Sequence, residues 1–141
     1  MKQAQDTLVV RTRGQGLYEF TGEAARFVEA SGIEMGLLTV FVRHTSASLT
    51  IQENADPDVQ RDLTEFFKRL VPENQSWMRH TMEGPDDMPA HIKGALTDTS
   101  LTVPVGSGRL MLGTWQGLYL FEHRARAHSR QVVLHIFGGY S

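Results

Sequence analysis

The chain contains no cysteine. That excludes disulfides, thiolate zinc sites, iron–sulfur clusters and a cysteine nucleophile. No apolar run approaches the roughly 18 residues of a membrane-spanning helix, so no membrane partner is expected. An excess of one charge is missing too: 14 Lys+Arg against 16 Asp+Glu leave a net charge of −2 with histidines neutral. With no basic run either, nucleic acid is not an expected partner. The opening Met1–Asp6 lacks the apolar core of a secretory leader, which points to a cytoplasmic protein. Repeats, low-complexity segments and linkers are absent, as are Walker loops, Rossmann fingerprints and nucleophile elbows. What is there is a globular balance, 40% hydrophobic and 21% charged over 141 residues, the size of one domain spanning 1–141.

Patterning predicts many short strands and few helices. Strand signals cover Thr7–Thr12 and Leu17–Phe20, with Gly14 and Gly16 between them suggesting a hairpin. Gly36–His44 is the strongest strand. Leu38, Val40, Val42 and His44 share one face and Leu37, Thr39, Phe41 and Arg43 the other, so a central position is expected. Ser48–Ile51 follows, and the last third reads as Leu101–Val105, Arg109–Leu112, Thr114–His123 and Arg130–Phe137, with Gly106-Ser107-Gly108 as a hairpin turn. Helices are predicted from Thr21 to Gly32, from Pro57 to about Val71 behind an Asp56 cap, and over Ala90–Leu96. Val59, Leu63, Phe66, Phe67 and Leu70 form one stripe of the second. The fold class is therefore α+β, a β-sandwich-like core of seven or eight mostly antiparallel strands with two or three short helices.

Without cysteine, a zinc-like centre must use imidazole with carboxylate or water. Six histidines are available, at 44, 80, 91, 123, 128 and 135. His44 ends an apolar strand face, where it is either a half-buried ring bonded to a carbonyl or the floor of a pocket at the sheet edge. His80 and His91 bracket Glu83, Asp86 and Asp87. Asp87 and His91 stand four apart on a helix, so the carboxylate can orient the imidazole or share a metal with it; the alternative is capping aspartates and a surface histidine. Asn54 and Asp56 suit turn formation and capping, each worth about 1 kcal/mol, without excluding ligand contact. Glu122 has the parity of Leu118 and Leu120, so its carboxylate must be paired or have a raised pKa fit for proton transfer. Lys93, Arg109, Arg124, Arg126 and Arg130 either neutralise phosphates or form a solvated face. Trp115 is expected in the core.

Three blocks in order resemble the YjbQ family of secondary thiamine-phosphate synthase enzymes. They are His44–Pro57 (HTSASLTIQENADP), His80 with Glu83–Lys93 (EGPDDMPAHIK), and Gly113–Arg124 (GTWQGLYLFEHR) with Ser129-Arg130 downstream. The resemblance implies a compact α+β domain assembled as a homotrimer, with His44, His80 and His91 in a pocket near a subunit boundary. It also implies a divalent metal, Zn²⁺ or Mg²⁺, on those three histidines. Asp87 or Asp56 would then orient a ligand or act as general base, and Glu122 would carry a proton. Asn54, Gln116, Arg124 and Arg130 would hold a small phosphorylated substrate. The implied activity joins a pyrimidine diphosphate to a thiazole phosphate. Mg²⁺ with carboxylates and arginines would suit that leaving group, whereas three imidazoles favour Zn²⁺. Thiamine-phosphate formation is accordingly expected as a weak, secondary activity, with zinc-dependent hydrolysis of a small phosphorylated or carbonyl compound, or small-ligand binding without turnover, as alternatives.

Overall fold

The structure is a computed structural model and describes residues 1–140. The elements run β1 (Lys2–Arg11), β2 (Gly16–Glu19), α1 (Thr21–Ser31), β3 (Met35–Val42), β4 (Ala47–Glu53), α2 (Pro57–Leu70), α3 (Asp87–Leu96), β5 (Ser100–Gly106), β6 (Arg109–Leu110), β7 (Gln116–Glu122) and β8 (Ser129–Gly139). Two antiparallel sheets result, one of five strands in the order β1-β8-β3-β5-β6 and one of three in the order β2-β7-β4. Eight strands and three helices in an α+β arrangement agree with the expectation from patterning.

Strand alternation sorts the residues between core and solvent. Leu38, Val40 and Val42 of β3, Val103 and Val105 of β5 and Val132, Leu134 and Ile136 of β8 are buried against Leu49 of β4 and Leu118 and Leu120 of β7. Each such side chain contributes about 1.5–3 kcal/mol relative to exposure. Ala24 and Val28 of α1 belong to the same cluster. The outer face of the three-stranded sheet is covered by α2 and α3: the Phe67 ring meets Phe121 edge-on with centroids 5.3 Å apart, and α3 packs on β4. Asp56 caps α2 by accepting the Asp58 N–H at 2.9 Å, with Pro57 in the first turn. α1 stops at Gly32, whose φ of 71° is the left-handed conformation that glycine adopts without a Cβ penalty.

Two local expectations, the hairpin and the buried Trp115, are corrected, and the central place of β3 is met. β1 and β2 do not form a hairpin: β1 pairs with β8 and β2 with β7, because the Gly14–Gly16 segment carries the chain from one sheet to the other. β3 is central, but its second face is open, with Leu37 48% and Phe41 45% exposed. Trp115 lies outside the core at 63% exposure, just before β7 begins.

Gly36 and Gly138 are register partners across β3 and β8. A Cβ on Gly36 would run into the Phe137 carbonyl oxygen, and one on Gly138 into that of Met35. Gly36→Ala is therefore expected to lower stability by about 2–3 kcal/mol through forced separation of the strands, measured as a reduced urea midpoint at unchanged slope.

Register gathers several strand ends at one end of the sandwich. Arg11 of β1 pairs with Ser129 of β8, Val42 of β3 with Val132 of β8, and Ala47 of β4 with Glu122 of β7. The His123 N–H donates to the Ser46 carbonyl and the Thr12 N–H to that of His128. The segments following β1, β3 and β7 thus meet there.

Candidate functional site

The N-terminus of α3 assembles the densest polar group. Asp87, only 2% exposed, directs Oδ2 at His80 Nε2, 2.6 Å away, and at His91 Nε2, 3.2 Å away. His91 comes from the next turn of the same helix, while His80 arrives from the irregular segment before it. The two imidazoles lie edge to face, 5.2 Å between centroids. Asp87 Oδ1 forms an ion pair with Arg124 Nη1, 2.9 Å away. Arg124 also donates from Nε to Asp86 Oδ2 at 2.8 Å and from Nη2 to the Glu83 carbonyl at 2.9 Å. It therefore clamps the end of β7 to the segment entering α3, and its fork is occupied by protein groups rather than free for a substrate anion.

Burial pushes the Asp87 carboxyl up, but the His80 hydrogen bond and the charges of Arg124 and His91 hold it below the ordinary carboxylate range. For Asp86, burial is likewise outweighed by the Arg124 hydrogen bond and the Ala125 N–H. Both are anions at neutral pH. One donor atom each from His80, Asp87 and His91 fall within 4.8 Å of one another, and His80 is exposed, so the group opens to solvent. Two imidazole nitrogens with one carboxylate oxygen match the preferences of Zn²⁺ better than those of Mg²⁺.

His44 does not join this group within the chain. Its Nε2 accepts the Gln131 main-chain N–H at 2.8 Å. Burial and then the positive charge of Arg130 lower its pKa, so the ring is neutral at physiological pH.

Glu122 points between the sheets, as its parity predicts, and is fully buried. Arg130 Nε donates to its Oε1 at 2.8 Å and Nη2 contacts Oε2; the Thr12 hydroxyl donates to Oε1 at 2.7 Å and the Arg124 N–H to Oε2 at 3.1 Å. Burial raises the carboxyl pKa, but the Arg130 and Thr12 hydrogen bonds overcome it and the group stays below the ordinary range. Of the two alternatives read from parity, the paired carboxylate is the one found; its hydrogen bonds fill both oxygens, which does not suit a proton carrier.

The remaining candidates lie elsewhere. Asn54 Nδ2 donates to Glu19 Oε2 at 3.1 Å, Gln116 Oε1 accepts the Gly113 N–H at 2.7 Å, and Asp56 caps α2. The β4–β7 ladder runs from Ala47↔Glu122 to Glu53↔Gln116, so these three sit about 20 Å of strand from the Glu122 end. Gln116 lines a cavity of about 690 Å³ between α1 and the β5–β6 turn that contains no histidine. Within one chain the structure unites His80, Asp87, His91 and Arg124, sets His44 beside Arg130 and Glu122, and leaves Asn54, Asp56 and Gln116 apart.

One polar cluster escaped the sequence reading. His123 is 1% exposed behind the three-stranded sheet, its Nε2 2.8 Å from Ser48 Oγ, which in turn lies 2.6 Å from Thr97 Oγ1. Nδ1 of His123 has no partner among the described residues. Lys93 is buried nearby without an ion pair among them. The only signal in sequence was the parity of His123 with Tyr119 and Phe121.

Comparison with known proteins agrees with this architecture. A family model described as "UPF0047 protein YjbQ-like" matches residues 6–139. A UPF0047 protein of Synechocystis is 56% identical over 97% of this chain and 93% of its own. The UPF0047 protein YjbQ of Escherichia coli O157:H7 is 42% identical over 95% and 97%. Among solved structures, a Clostridium acetobutylicum protein described as an uncharacterized conserved protein of the yjbq/upf0047 family superposes with a TM-score of 0.86 at 33% identity, covering 94% of this chain and 99% of that one. Among the described residues no helix is long and apolar enough to cross a membrane. Match of nearly the whole length, in sequence and in fold, places the chain in the YjbQ (UPF0047) family.

Proposed function

We propose that this protein is a metal-assisted enzyme of a small phosphorylated compound, with thiamine-phosphate formation as a minor activity. The observation that supports it is the meeting of two imidazole Nε2 atoms on one buried carboxylate oxygen, at a spot open to solvent. His80, Asp87 and His91 would hold the divalent ion, zinc in preference to magnesium. A bound ion of this kind supplies Lewis-acid polarisation of an oxygen, or a water of lowered pKa. Arg124 fixes Asp87 through Oδ1 and leaves Oδ2 facing the rings, so the carboxylate sets their orientation. In the synthase reaction the methylene–oxygen bond of the pyrimidine diphosphate breaks, the thiazole nitrogen bonds to that carbon, and pyrophosphate leaves with its charge neutralised. A second reading is hydrolysis of a small phosphorylated or carbonyl compound, favoured by the imidazole-rich donor set.

Metal analysis tests the centre. Wild type is expected to retain zinc through gel filtration, and His91→Ala and Asp87→Asn to lose about 10–100-fold in affinity. Equal metal content in wild type and His91→Ala removes His91 from the ligand set. Pyrophosphate release that needs both pyrimidine diphosphate and thiazole phosphate supports synthesis. Phosphate release from either alone supports hydrolysis, and neither leaves a binding protein. A cytoplasmic homotrimer belongs to the same proposal, and the open β3 face with Leu37 and Phe41 gives it an apolar surface to cover. Light scattering at the mass of one chain would remove it.

A further inference from the structure

At the end of β3 a separate cavity of about 490 Å³ is lined by Arg43, His44, Thr45, Ser46, Thr99 and Arg130. We propose that this cavity is an anion-binding subsite for a phosphate-class group, in which His44 serves as a fixed hydrogen-bond donor and not as a metal ligand. The proposal extends the phosphorylated-substrate reading by naming where the phosphate would sit.

The tautomer of His44 carries the first step. A main-chain N–H can only donate, so the Gln131 N–H occupies the Nε2 lone pair at 2.8 Å. The neutral ring then bears its proton on Nδ1, which has no partner among the described residues. An Nδ1–H repels a cation and donates to an anion. Metal binding through Nε2 would require breaking the contact with Gln131, a residue of β8 held in the ladder with β1.

The second step is the inventory of donors. Arg130 is 4% exposed, and its Nε and Nη2 are taken by Glu122 and Ser46, which leaves Nη1 unused. Arg43 gives only Nη1, to Gln131 Oε1 at 3.1 Å. The hydroxyls of Thr45 and Thr99 make no hydrogen bond among the described residues. No aspartate or glutamate lines the cavity. Glu122, the carboxylate paired with Arg130, already accepts on both oxygens. Two guanidinium groups, one imidazole N–H and two hydroxyls, beside the apolar Phe41 and Val42 and with no acid in the lining, form a donor-rich surface. A phosphate offers three peripheral oxygens to such a surface, and guanidinium donors match them well.

Titration of the metal-stripped full chain with inorganic phosphate at constant ionic strength, followed by amide NMR, tests the site independently of the metal centre. Expected are saturable shifts confined to Arg43–Ser46, Thr99 and Arg130–Gln131, and a loss of about tenfold in affinity for Arg43→Ala and for Thr99→Val, both at exposed positions where folding is retained. Long-range ¹⁵N spectra should show the His44 proton on Nδ1 with and without phosphate, and unmoved when zinc is added. Shifts elsewhere, affinity indifferent to both variants, no saturation, or a His44 proton on Nε2 would each overturn the proposal. Phosphate binding with no metal retention would retain this subsite and remove the metal centre; the reverse result would do the opposite.

Discussion

Arg130→Met is expected to lower the unfolding free energy by about 3–5 kcal/mol, read from urea denaturation near neutral pH. The variant keeps the volume of the arginine stem but leaves the Glu122 carboxylate at zero exposure with no counter-charge. The Thr12 hydroxyl and the Arg124 N–H remain as neutral donors and cannot replace a guanidinium. Arg130 Nη2 also donates to the Ser46 hydroxyl at 3.0 Å, so its loss frees the segment between β3 and β4 that carries His44. Adding Glu122→Gln to Arg130→Met should recover more than half of the loss, because the penalty comes from an unpaired charge rather than from a missing attraction. Additive losses in the double variant would show that the two side chains act separately. Since Arg130 lines the proposed phosphate cavity, this variant lowers stability and anion affinity together; Arg43→Ala separates the two effects.

How much of this could be read from the chain depends on sequence distance. Asp87 and His91 meet because a helix brings positions four apart onto one face, which spacing alone conveys. His80 reaches the same carboxylate through an irregular segment with no period, so only the family resemblance pointed to it. Glu122 was legible as an inward carboxylate from the parity of β7. Its partner was not, because Arg130 stands on the other sheet, and Thr12 lies 110 residues away. The same limit applies to His44, whose Nε2 partner Gln131 is 87 residues distant. Strand existence was visible in alternation, whereas sheet membership was not: a turn that reverses a strand and one that crosses between sheets use the same glycines and polar residues. Trp115 shows the weakness of composition alone, since its size suggested burial and its place before β7 leaves it exposed.

Acid should weaken the fold well before its carboxylates titrate, and His123 is the reason. Burial, followed by the positive charge of Lys93, lowers its pKa from 6.5 to about 3. Protonation would add an N–H at a ring buried to 1% exposure, where one nitrogen already lacks a partner among the described residues. The unfolded chain takes up this proton near pH 6.5 and the folded chain only near 3. Between those values the unfolded state binds more protons, so stability is full above about pH 6.5 and falls continuously as pH drops toward 3. The slope should approach about 1.4 kcal/mol per pH unit, for a total on the order of 5 kcal/mol. Asp86, Asp87 and Glu122, whose folded pKa values are also lowered, add their loss only below the unfolded carboxylate range near 4, so the window from pH 6 to 5 isolates histidines. His44 contributes there in the same direction but is only partly buried. Comparing wild type with His123→Gln by urea unfolding at pH 7, 6 and 5 separates the two. The variant should start less stable at pH 7, through disturbed packing against Phe121 and a weakened bond to Ser48, and then lose less on acidification. Equal slopes in the two proteins, or a His123 ring signal that titrates near pH 6, would place the acid sensitivity elsewhere.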